Sequence, residues 1–262
     1  MSTSGYLFER VLLTNDDGIA TPGLRVLEEI AAQIAREVWV VAPLLDQSGT
    51  SHSLSLHDPL RISHHGERRM AVSGTPGDCV ALALGHLMRD GLPDLVLSGV
   101  NRGANLGLET VFSGTVGAAM TALMFGVKSI ALSQAFVDRA AVPWEVAQAH
   151  GITSVRRVLE LDWPADACIN LNFPACAPEQ VKPLKLTTQG RGHLKDIQVQ
   201  TRTDPRDLDY YWLRLNRQDP VDADDAEGAC LRQGHVTATP LMFERTHSAA
   251  LAQMRARLSA GE

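Results

Sequence analysis

Near its N-terminus the chain reads Val11-Leu12-Leu13-Thr14-Asn15-Asp16-Asp17-Gly18-Ile19. The apolar residues at the start of this stretch predict a short buried strand, and the polar residues that follow predict a turn at its end. Ligands of open α/β folds bind beyond the carboxyl ends of the strands. Because adjacent carboxylates repel each other, Asp16 and Asp17 favour a hard divalent cation such as Mg²⁺ or Mn²⁺, which takes oxygen ligands. The alternative interpretation is an ordinary Asp-Gly turn whose carboxylates face water.

Strand and helix patterns alternate after this stretch. Continuous apolar runs predict buried strands, and apolar residues at helical spacing predict amphipathic helices between them. The further predicted strands cover residues 38–42, 70–72, 94–98, 129–132 and 167–171. The predicted helices cover residues 24–34, 75–88 and 144–161. Buried strands that alternate with helices predict an α/β fold, with a mostly parallel sheet covered on both faces.

The C-terminal part of the chain has a different pattern. From Val181 to Thr239 it becomes extended and polar, with an aromatic run at Tyr210-Tyr211-Trp212. A segment with so few apolar residues cannot form its own core, so we expect an arm over about residues 190–240 that packs on the domain or on a neighbouring subunit. A terminal helix is expected over about residues 245–258. We therefore predict a single domain over residues 1–262, with its core over about residues 8–180.

Size, charge and cysteine content narrow the class of protein. A chain of 262 residues fits one α/β domain with an appendage. The net charge of −6 argues against duplex nucleic acid as a partner, because proteins that bind it usually have a basic face. The four scattered cysteines form no C-x-x-C pair, and no apolar stretch reaches the roughly 20 residues of a membrane span. We therefore expect a cytoplasmic protein that does not bind a membrane.

Three further polar clusters follow predicted strands. Residues 46–53 are rich in hydroxyls, residues 98–107 combine three glycines with two asparagines, and residues 113–119 begin a helix with Ser113 and Thr115. Asparagine oxygens are neutral hard ligands, and the free N–H groups of a helix N-terminus bind anions. Each cluster also has a structural explanation, as a surface loop, a glycine-rich turn or a helix cap.

Several common motifs of catalytic and nucleotide sites are absent from the sequence. It contains no G-x-x-x-x-G-K-[ST] loop, no G-x-G-x-x-G after the first strand and no G-x-S-x-G elbow. The histidines His52, His57, His64 and His65 are interpreted as loop and surface residues. Of these, only His52 is a candidate to lie near the site.

Taken together, the motifs resemble one family. Their order and spacing over roughly residues 10–135 are similar to those of SurE, the stationary-phase survival protein family of metal-dependent nucleotidases. The matching motifs are Thr14-Asn15-Asp16-Asp17-Gly18-Ile19, Ser48-Gly49-x-Ser51-His52-Ser53-Leu54, Ser73-Gly74-Thr75-Pro76, Ser98-Gly99-Val100-Asn101-x-Gly103-x-Asn105 and Ser113-Gly114-Thr115-Val116-Gly117-Ala118-Ala119. Arg202-Thr203-Asp204-Pro205 and Val236-Thr237-Ala238-Thr239-Pro240-Leu241 resemble the family's C-terminal part. The chain departs from the family at Leu44-Leu45-Asp46-Gln47, where the family often has a charged Asp-Arg-x-Arg stretch.

The resemblance implies a fold and a site. The fold is a three-layer α/β/α sandwich with a Rossmann-like, mostly parallel sheet and an extended C-terminal β-hairpin arm. One divalent metal ion per subunit, Mg²⁺ or Mn²⁺ (or Ca²⁺ in a crystal), would be bound by Asp16, Asp17, Ser48 and Asn101. The substrate phosphate would lie against Asn105, Ser113, Gly114 and Thr115. Asp16 and Asp17 would be the catalytic residues, one of them acting as base or nucleophile.

The resemblance also implies an activity and an assembly. The activity is hydrolysis of nucleoside monophosphates, with the phosphate at the 5′ and also at the 3′ position, to nucleoside and phosphate. The assembly is a homodimer or homotetramer. Two alternatives stay open: a short-chain exopolyphosphatase, and a regulatory protein that binds a metal and a phosphorylated ligand without turnover. Attack by an activated water and formation of a covalent aspartyl-phosphate are both compatible with the sequence.

Overall fold

The computed structural model describes residues 5–218 and 222–259. Its strands are β1 (Phe8–Thr14), β2 (Ala35–Pro43), β3 (Ile62–Gly66), β4 (Arg69–Val72), β5 (Leu95–Arg102), β6 (Ser129–Gln134), β7 (Ala167–Phe173), β8 (Lys182–Leu186), β9 (Leu194–Thr203), β10 (Asp209–Arg217) and β11 (His235–Met242). Its α-helices are α1 (Pro22–Ala31), α2 (Pro76–Leu82), α3 (Gly114–Leu123), α4 (Trp144–Leu159), α5 (Glu227–Arg232) and α6 (Ser248–Ser259). Among these described residues, none of the helices is both long enough and apolar enough to cross a membrane.

One large sheet organises the chain. Its strand order is β3-β4-β2-β1-β5-β6-β7-β11-β8. The strands from β4 to β7 in this order are parallel to one another, whereas β3 and β11 run antiparallel to their neighbours β4 and β7. Strands β9 and β10 form a separate antiparallel hairpin. The predicted mostly parallel sheet and β-hairpin arm are therefore confirmed.

Two consecutive residues of β1 show how the sheet is covered. Leu12 belongs to a core cluster that includes residues of α2 and α3. Leu13 belongs to a second core cluster that includes residues of α1 and α4. Because successive side chains of a strand point to opposite faces of the sheet, the two pairs of helices lie on opposite faces. The predicted three-layer α/β/α sandwich is confirmed.

Strand β5 extends further than the sequence predicted. The prediction ended this strand at Ser98, but the structure continues it to Arg102. Its pairing with β6 shifts between Ser98 and Asn101, where Gly99 has a φ of 139° and a Cβ atom would collide with the carbonyl oxygen of Leu132. The glycine therefore accommodates an irregularity within the strand instead of ending it. As a result, Asn101 lies on a strand and not in a loop.

The predicted arm over about residues 190–240 is too long. The hairpin occupies residues 194–217, whereas β11 returns to the large sheet between β7 and β8. The core therefore continues well beyond residue 180, and the terminal helix begins at Ser248 instead of residue 245. Residues 1–4, 219–221 and 260–262 of the predicted domain and arm lie outside the described residues.

Candidate active site

A cleft of about 200 Å³ lies at the carboxyl ends of β1 and β5. Its lining includes most of the site residues that the sequence predicted, namely Asp16, Asp17, Ser48, Asn101, Asn105 and Ser113. Strands β1 and β5 are parallel neighbours, so the segments that follow them meet at one edge of the sheet. The structure therefore brings together residues that the sequence places in separate motifs.

Asn15 shapes the turn that carries the paired aspartates. Its Nδ2 donates to the carbonyl oxygen of Gly18 and to Oγ1 of Thr21, both at 2.9 Å. Its Oδ1 accepts a hydrogen bond from the N–H of Gly18 at 3.2 Å. Gly18 has a φ of 108°, a conformation that few other residues adopt. Asn15 therefore fixes the turn, and the two carboxylates beside it are the groups that line the cleft.

Asp16 is the more deeply buried of the two aspartates, with only 4% of its surface exposed. Its Oδ1 accepts a hydrogen bond from Oγ1 of Thr115 at 2.6 Å. Burial raises the pKa of Asp16 to about 7; the hydrogen bond from Thr115 lowers it, and the negative charges of Asp17 and Asp46 raise it. Gly114 permits the close approach of this carboxylate, because a Cβ there would lie 2.8 Å from Cβ of Asp16.

Asp17 contacts the end of β5. Its Oδ2 accepts a hydrogen bond from the backbone N–H of Arg102 at 3.1 Å. Nη2 of Arg102 lies 3.9 Å from Oδ1 of Asp17 and 3.9 Å from Oδ2 of Asp46. Burial raises the pKa of Asp17, whereas Arg102 lowers it. Arg102 occupies an unassigned position of its motif and was not predicted as a site residue, nor was Arg139, which lines the same cleft.

Ser48 and Asn101 add neutral oxygens to the two carboxylates. Oγ of Ser48 donates to Oδ1 of Asp46 at 2.6 Å, so its lone pairs remain available to a cation. Nδ2 of Asn101 donates to the carbonyl oxygen of Gly103 at 2.8 Å, which fixes the amide and leaves its oxygen available. Over residues 5–218 and 222–259, no group of three or more His, Cys, Asp or Glu side chains is placed so that it could hold a metal ion by itself. The donor set is thus made of carboxylate, amide and hydroxyl oxygens, which suit Mg²⁺ or Mn²⁺.

Asn105 is held on three sides. Its backbone N–H donates to Oδ1 of Asn172 at 2.9 Å, and its carbonyl oxygen accepts from Nδ2 of Asn170 at 2.8 Å. Its own Nδ2 donates to Oγ of Ser133 at 2.8 Å. These partners were not predicted from the sequence, although buried polar residues within apolar strands are a signal of such a network. The network fixes the position of Asn105 at the cleft.

The residues at the start of α3 have different roles. Ser113 lines the cleft and caps the helix, since its Oγ accepts a hydrogen bond from the N–H of Val116 at 3.1 Å. Thr115 is fully buried and donates its hydroxyl hydrogen to Asp16. The side chain of Thr115 therefore holds Asp16 and does not line the cleft, whereas that of Ser113 both caps the helix and lines the cleft.

His52 lies outside this cleft. It lines a separate cavity of about 300 Å³, and its Nε2 lies 3.1 Å from Sδ of Met120. Burial lowers the pKa of His52. His52 therefore lies in a loop, as interpreted, and it does not line the cleft near which it was a candidate to lie.

Comparisons with known proteins agree with the motif series. A family model described as survival protein SurE matches residues 11–196. The chain is 60% identical over 258 residues to 5'-nucleotidase SurE 1 of Burkholderia lata, covering 98% of this chain and 100% of that protein. It is 46% identical over 253 residues to 5'-nucleotidase SurE of Brucella canis, covering 95% and 98% of the two chains. Among solved structures, the SurE protein from Aquifex aeolicus matches with a TM-score of 0.78 at 32% identity, over 94% of this chain and 98% of that one.

Proposed function

This chain belongs to the SurE family, and on that premise we propose that it is a phosphomonoesterase that releases phosphate from nucleoside 5′-monophosphates and also accepts 3′-nucleotides. Relatives at 60% and 46% identity carry the name 5'-nucleotidase. The observation that carries the proposal is the meeting of Asp16 and Asp17 with Asn101, Asn105 and Ser113 in one cleft. These residue types suit a cation and a phosphate bound side by side.

The residues of the cleft fit one divalent cation per subunit. Asp16 and Asp17 place two carboxylates in a buried position, and burial raises the pKa of both. Arg102 offers one positive charge at 3.9 Å, which it shares with a third carboxylate. Asp16, Asp17, Ser48 and Asn101 would hold Mg²⁺ or Mn²⁺. When bound, such an ion supplies positive charge to the phosphate oxygens and acidifies a water molecule.

The other residues of the cleft hold the phosphate and the catalytic carboxylate. Ser113 lies at the N-terminus of α3, where free N–H groups and the helix dipole favour an anion. Asn105 is fixed by its hydrogen bonds, so its side chain can meet the phosphate without a loss of conformational freedom. Thr115 holds Oδ1 of Asp16, which leaves the second oxygen of that carboxylate free of this bond.

We further propose that the hairpin joins subunits into a homodimer or homotetramer. Among the described residues, β9 and β10 pair only with each other. Trp212 is 62% exposed on this hairpin, and Tyr211 and Leu213 beside it are also exposed. A hairpin of two strands is at best marginally stable in water, so this apolar surface needs a partner. A neighbouring subunit supplies such a surface in a symmetric oligomer.

One observation favours a second candidate activity, hydrolysis of short-chain polyphosphate. A cavity of about 330 Å³ borders Asp17. Arg102 and Arg139 line both this cavity and the cleft. Guanidinium groups pair with phosphate oxygens, so this cavity suits the second and third phosphates of a short chain.

Phosphate release tests the proposed function. AMP, GMP, CMP and short-chain polyphosphate are incubated with the full chain in the presence of Mn²⁺ and after exhaustive chelation. We expect hydrolysis of the nucleotides only when the metal is present, and its loss in Asp17→Asn. Asp162→Asn is the matched control, because Asp162 is an exposed carboxylate that does not line the cleft. Activity that survives both chelation and Asp17→Asn contradicts the proposal.

A further inference from the structure

A second, larger cleft adjoins the phosphate site. Its volume is about 470 Å³, within the range of roughly 300–1,000 Å³ that is usual for small-molecule sites. Gly103, Ala104, Glu109 and Phe136 line both clefts. A ligand whose phosphate lies in the first cleft can therefore continue into the second along a shared wall.

Part of the lining of the second cleft suits a flat, apolar group. This part includes the side chains of Leu106, Pro174 and Leu231 beside the ring of Phe136. Phe136 is half-buried, and it packs so closely on Gly103 that a Cβ there would lie 3.4 Å from Cε1 of the ring. The ring thus packs against Gly103 and borders the cavity beside it. Aromatic side chains held in this way stack on nucleobases.

Glu109 supplies a hydrogen-bond acceptor where the two clefts join. Its side chain is only 12% exposed, and its Oε1 accepts from Nε of Arg217 at 3.0 Å. Within residues 5–218 and 222–259, no group donates a hydrogen bond to its Oε2. Ribose hydroxyls donate to carboxylates in nucleotide sites, and a ribose is the group that separates phosphate from base. A carboxylate at this junction therefore matches the middle of a nucleotide.

We propose that the second cleft binds the nucleoside of a nucleoside monophosphate, with its base stacked on Phe136 and a ribose hydroxyl donating to Glu109. This inference rests on the proposed function for the position of the phosphate. It adds a claim of its own, because the cleft should bind a nucleoside that carries no phosphate. His193, Arg217 and Arg232 also line this cleft. Because arginine side chains can pair with phosphate oxygens, binding of a ligand without phosphate is what distinguishes a nucleoside site from a site for further phosphates.

Cys176 provides a reporter of the second cleft that does not depend on catalysis. It lines the cleft and is partly exposed, whereas Cys79, Cys168 and Cys230 are buried. N-ethylmaleimide should therefore label Cys176 first in the native full chain, and Cys176→Ser should remove this labelling. Adenosine is expected to slow the reaction of Cys176 in a saturable way, whereas ribose or inorganic phosphate alone should leave its rate unchanged.

Substitution of Phe136 tests the stacking contact. In Phe136→Ala the adenosine concentration for half-maximal protection should rise about tenfold, the effect expected for the loss of one base–aromatic stack. Phe136→Leu keeps an apolar wall without the aromatic face, and it should show the same rise if the alanine variant does not fold. Phe125→Ala is the matched control, because Phe125 is an exposed phenylalanine outside both clefts.

Kinetics with AMP and ribose 5-phosphate separate this inference from the proposed function. Because Phe136 also lines the phosphate cleft, the test compares the two substrates: Phe136→Ala should lower kcat/KM for AMP about tenfold more than it lowers kcat/KM for ribose 5-phosphate. Protection of Cys176 by adenosine in a protein without phosphatase activity would refute the proposed function and support the nucleoside site. Absence of protection, or an equal loss for both substrates in Phe136→Ala, would overturn the nucleoside site.

Discussion

We predict that the protein loses stability between pH 5 and pH 8 and that Glu227→Gln removes a large part of this loss. Glu227 is fully buried, and its Oε1 accepts from the N–H of Gly107 at 2.6 Å. Its Oε2 accepts from Oγ1 of Thr239 at 3.0 Å and from Nδ2 of Asn170 at 3.3 Å. Burial raises the pKa of Glu227 to about 7, although these hydrogen bonds lower it. Because Nδ2 of Asn170 also donates to the carbonyl oxygen of Asn105, Glu227 is linked through Asn170 to a residue of the phosphate site.

The sign and size of the effect follow from the pKa of Glu227 in the two states. In the unfolded chain the pKa lies near 4.5, and in the folded protein near 7. Between these values the folded protein keeps a proton that the unfolded chain has released, so the free energy of unfolding falls as the pH rises, and it levels off above the folded pKa. From pH 5 to pH 8 this group alone removes roughly 2.5 kcal/mol of stability. In a protein of this size that loss corresponds to roughly 5–10 °C in Tm.

Urea unfolding of the metal-free protein at pH 5 and pH 8 measures this difference. Asp16 also has a raised pKa, but it is present in both proteins, so the comparison with Glu227→Gln isolates one residue. Glutamine can accept from Gly107 and donate to Thr239, so only the longer hydrogen bond from Nδ2 of Asn170 is lost. Glu160→Gln, a change at an exposed carboxylate, should retain the wild-type dependence on pH. Parallel losses of stability in the wild type and in Glu227→Gln would refute the reasoning.

Three further predictions concern the site and the hairpin. Thr115→Val keeps the side-chain shape but removes the donor to Asp16. We expect the free energy of unfolding in urea to fall by about 1.5–3 kcal/mol and phosphate release to be lost. Full activity would contradict the assigned role. Gly114→Ala would place a Cβ 2.8 Å from Cβ of Asp16, so it should lower both activity and stability. Gly85→Ala is the control and should change neither, because the nearest atom to its Cβ would be Cε1 of Phe125 at 3.8 Å. Trp212→Ser should shift the mass measured by light scattering toward a monomer, and a monomeric wild type at micromolar concentration would count against the hairpin as an interface.

The parts of the fold that the sequence predicted are those with a local signal. The continuous apolar run through Leu12 and Leu13 predicted a strand buried on both faces, and the structure buries these residues in opposite layers. Thr75 predicted the start of α2, and its Oγ1 accepts from the N–H of Asp78 as a helix cap. The end of the same helix was predicted at residue 88, but α2 ends at Leu82 and continues as a π-helical turn. Apolar spacing shows which residues face the core, but it does not report a change of hydrogen-bond pattern.

The parts that could not be predicted depend on contacts between residues distant in sequence. Strand β11 contains Thr237 and Thr239 at buried positions, and the hydroxyl of Thr239 donates a hydrogen bond to Glu227. Nothing in its own sequence shows that partner, so the segment was predicted to belong to the arm. Likewise, Asn105 is fixed by Asn170, which lies 65 residues further along the chain. The motif series located Asn105 at the site, but only the three-dimensional arrangement shows what holds it.

The most direct test of the paired-aspartate site is the stabilisation of the folded protein by Mn²⁺. A ligand that binds only the folded state at a hundredfold excess over its Kd adds about 2.7 kcal/mol to the free energy of unfolding. The wild type should show this gain in urea unfolding and lose it on chelation. Asp16→Asn and Asp17→Asn should lack the gain, while their metal-free stability stays equal to or slightly above that of the wild type, because one of two like charges is removed. A full gain from Mn²⁺ in both variants would contradict the site.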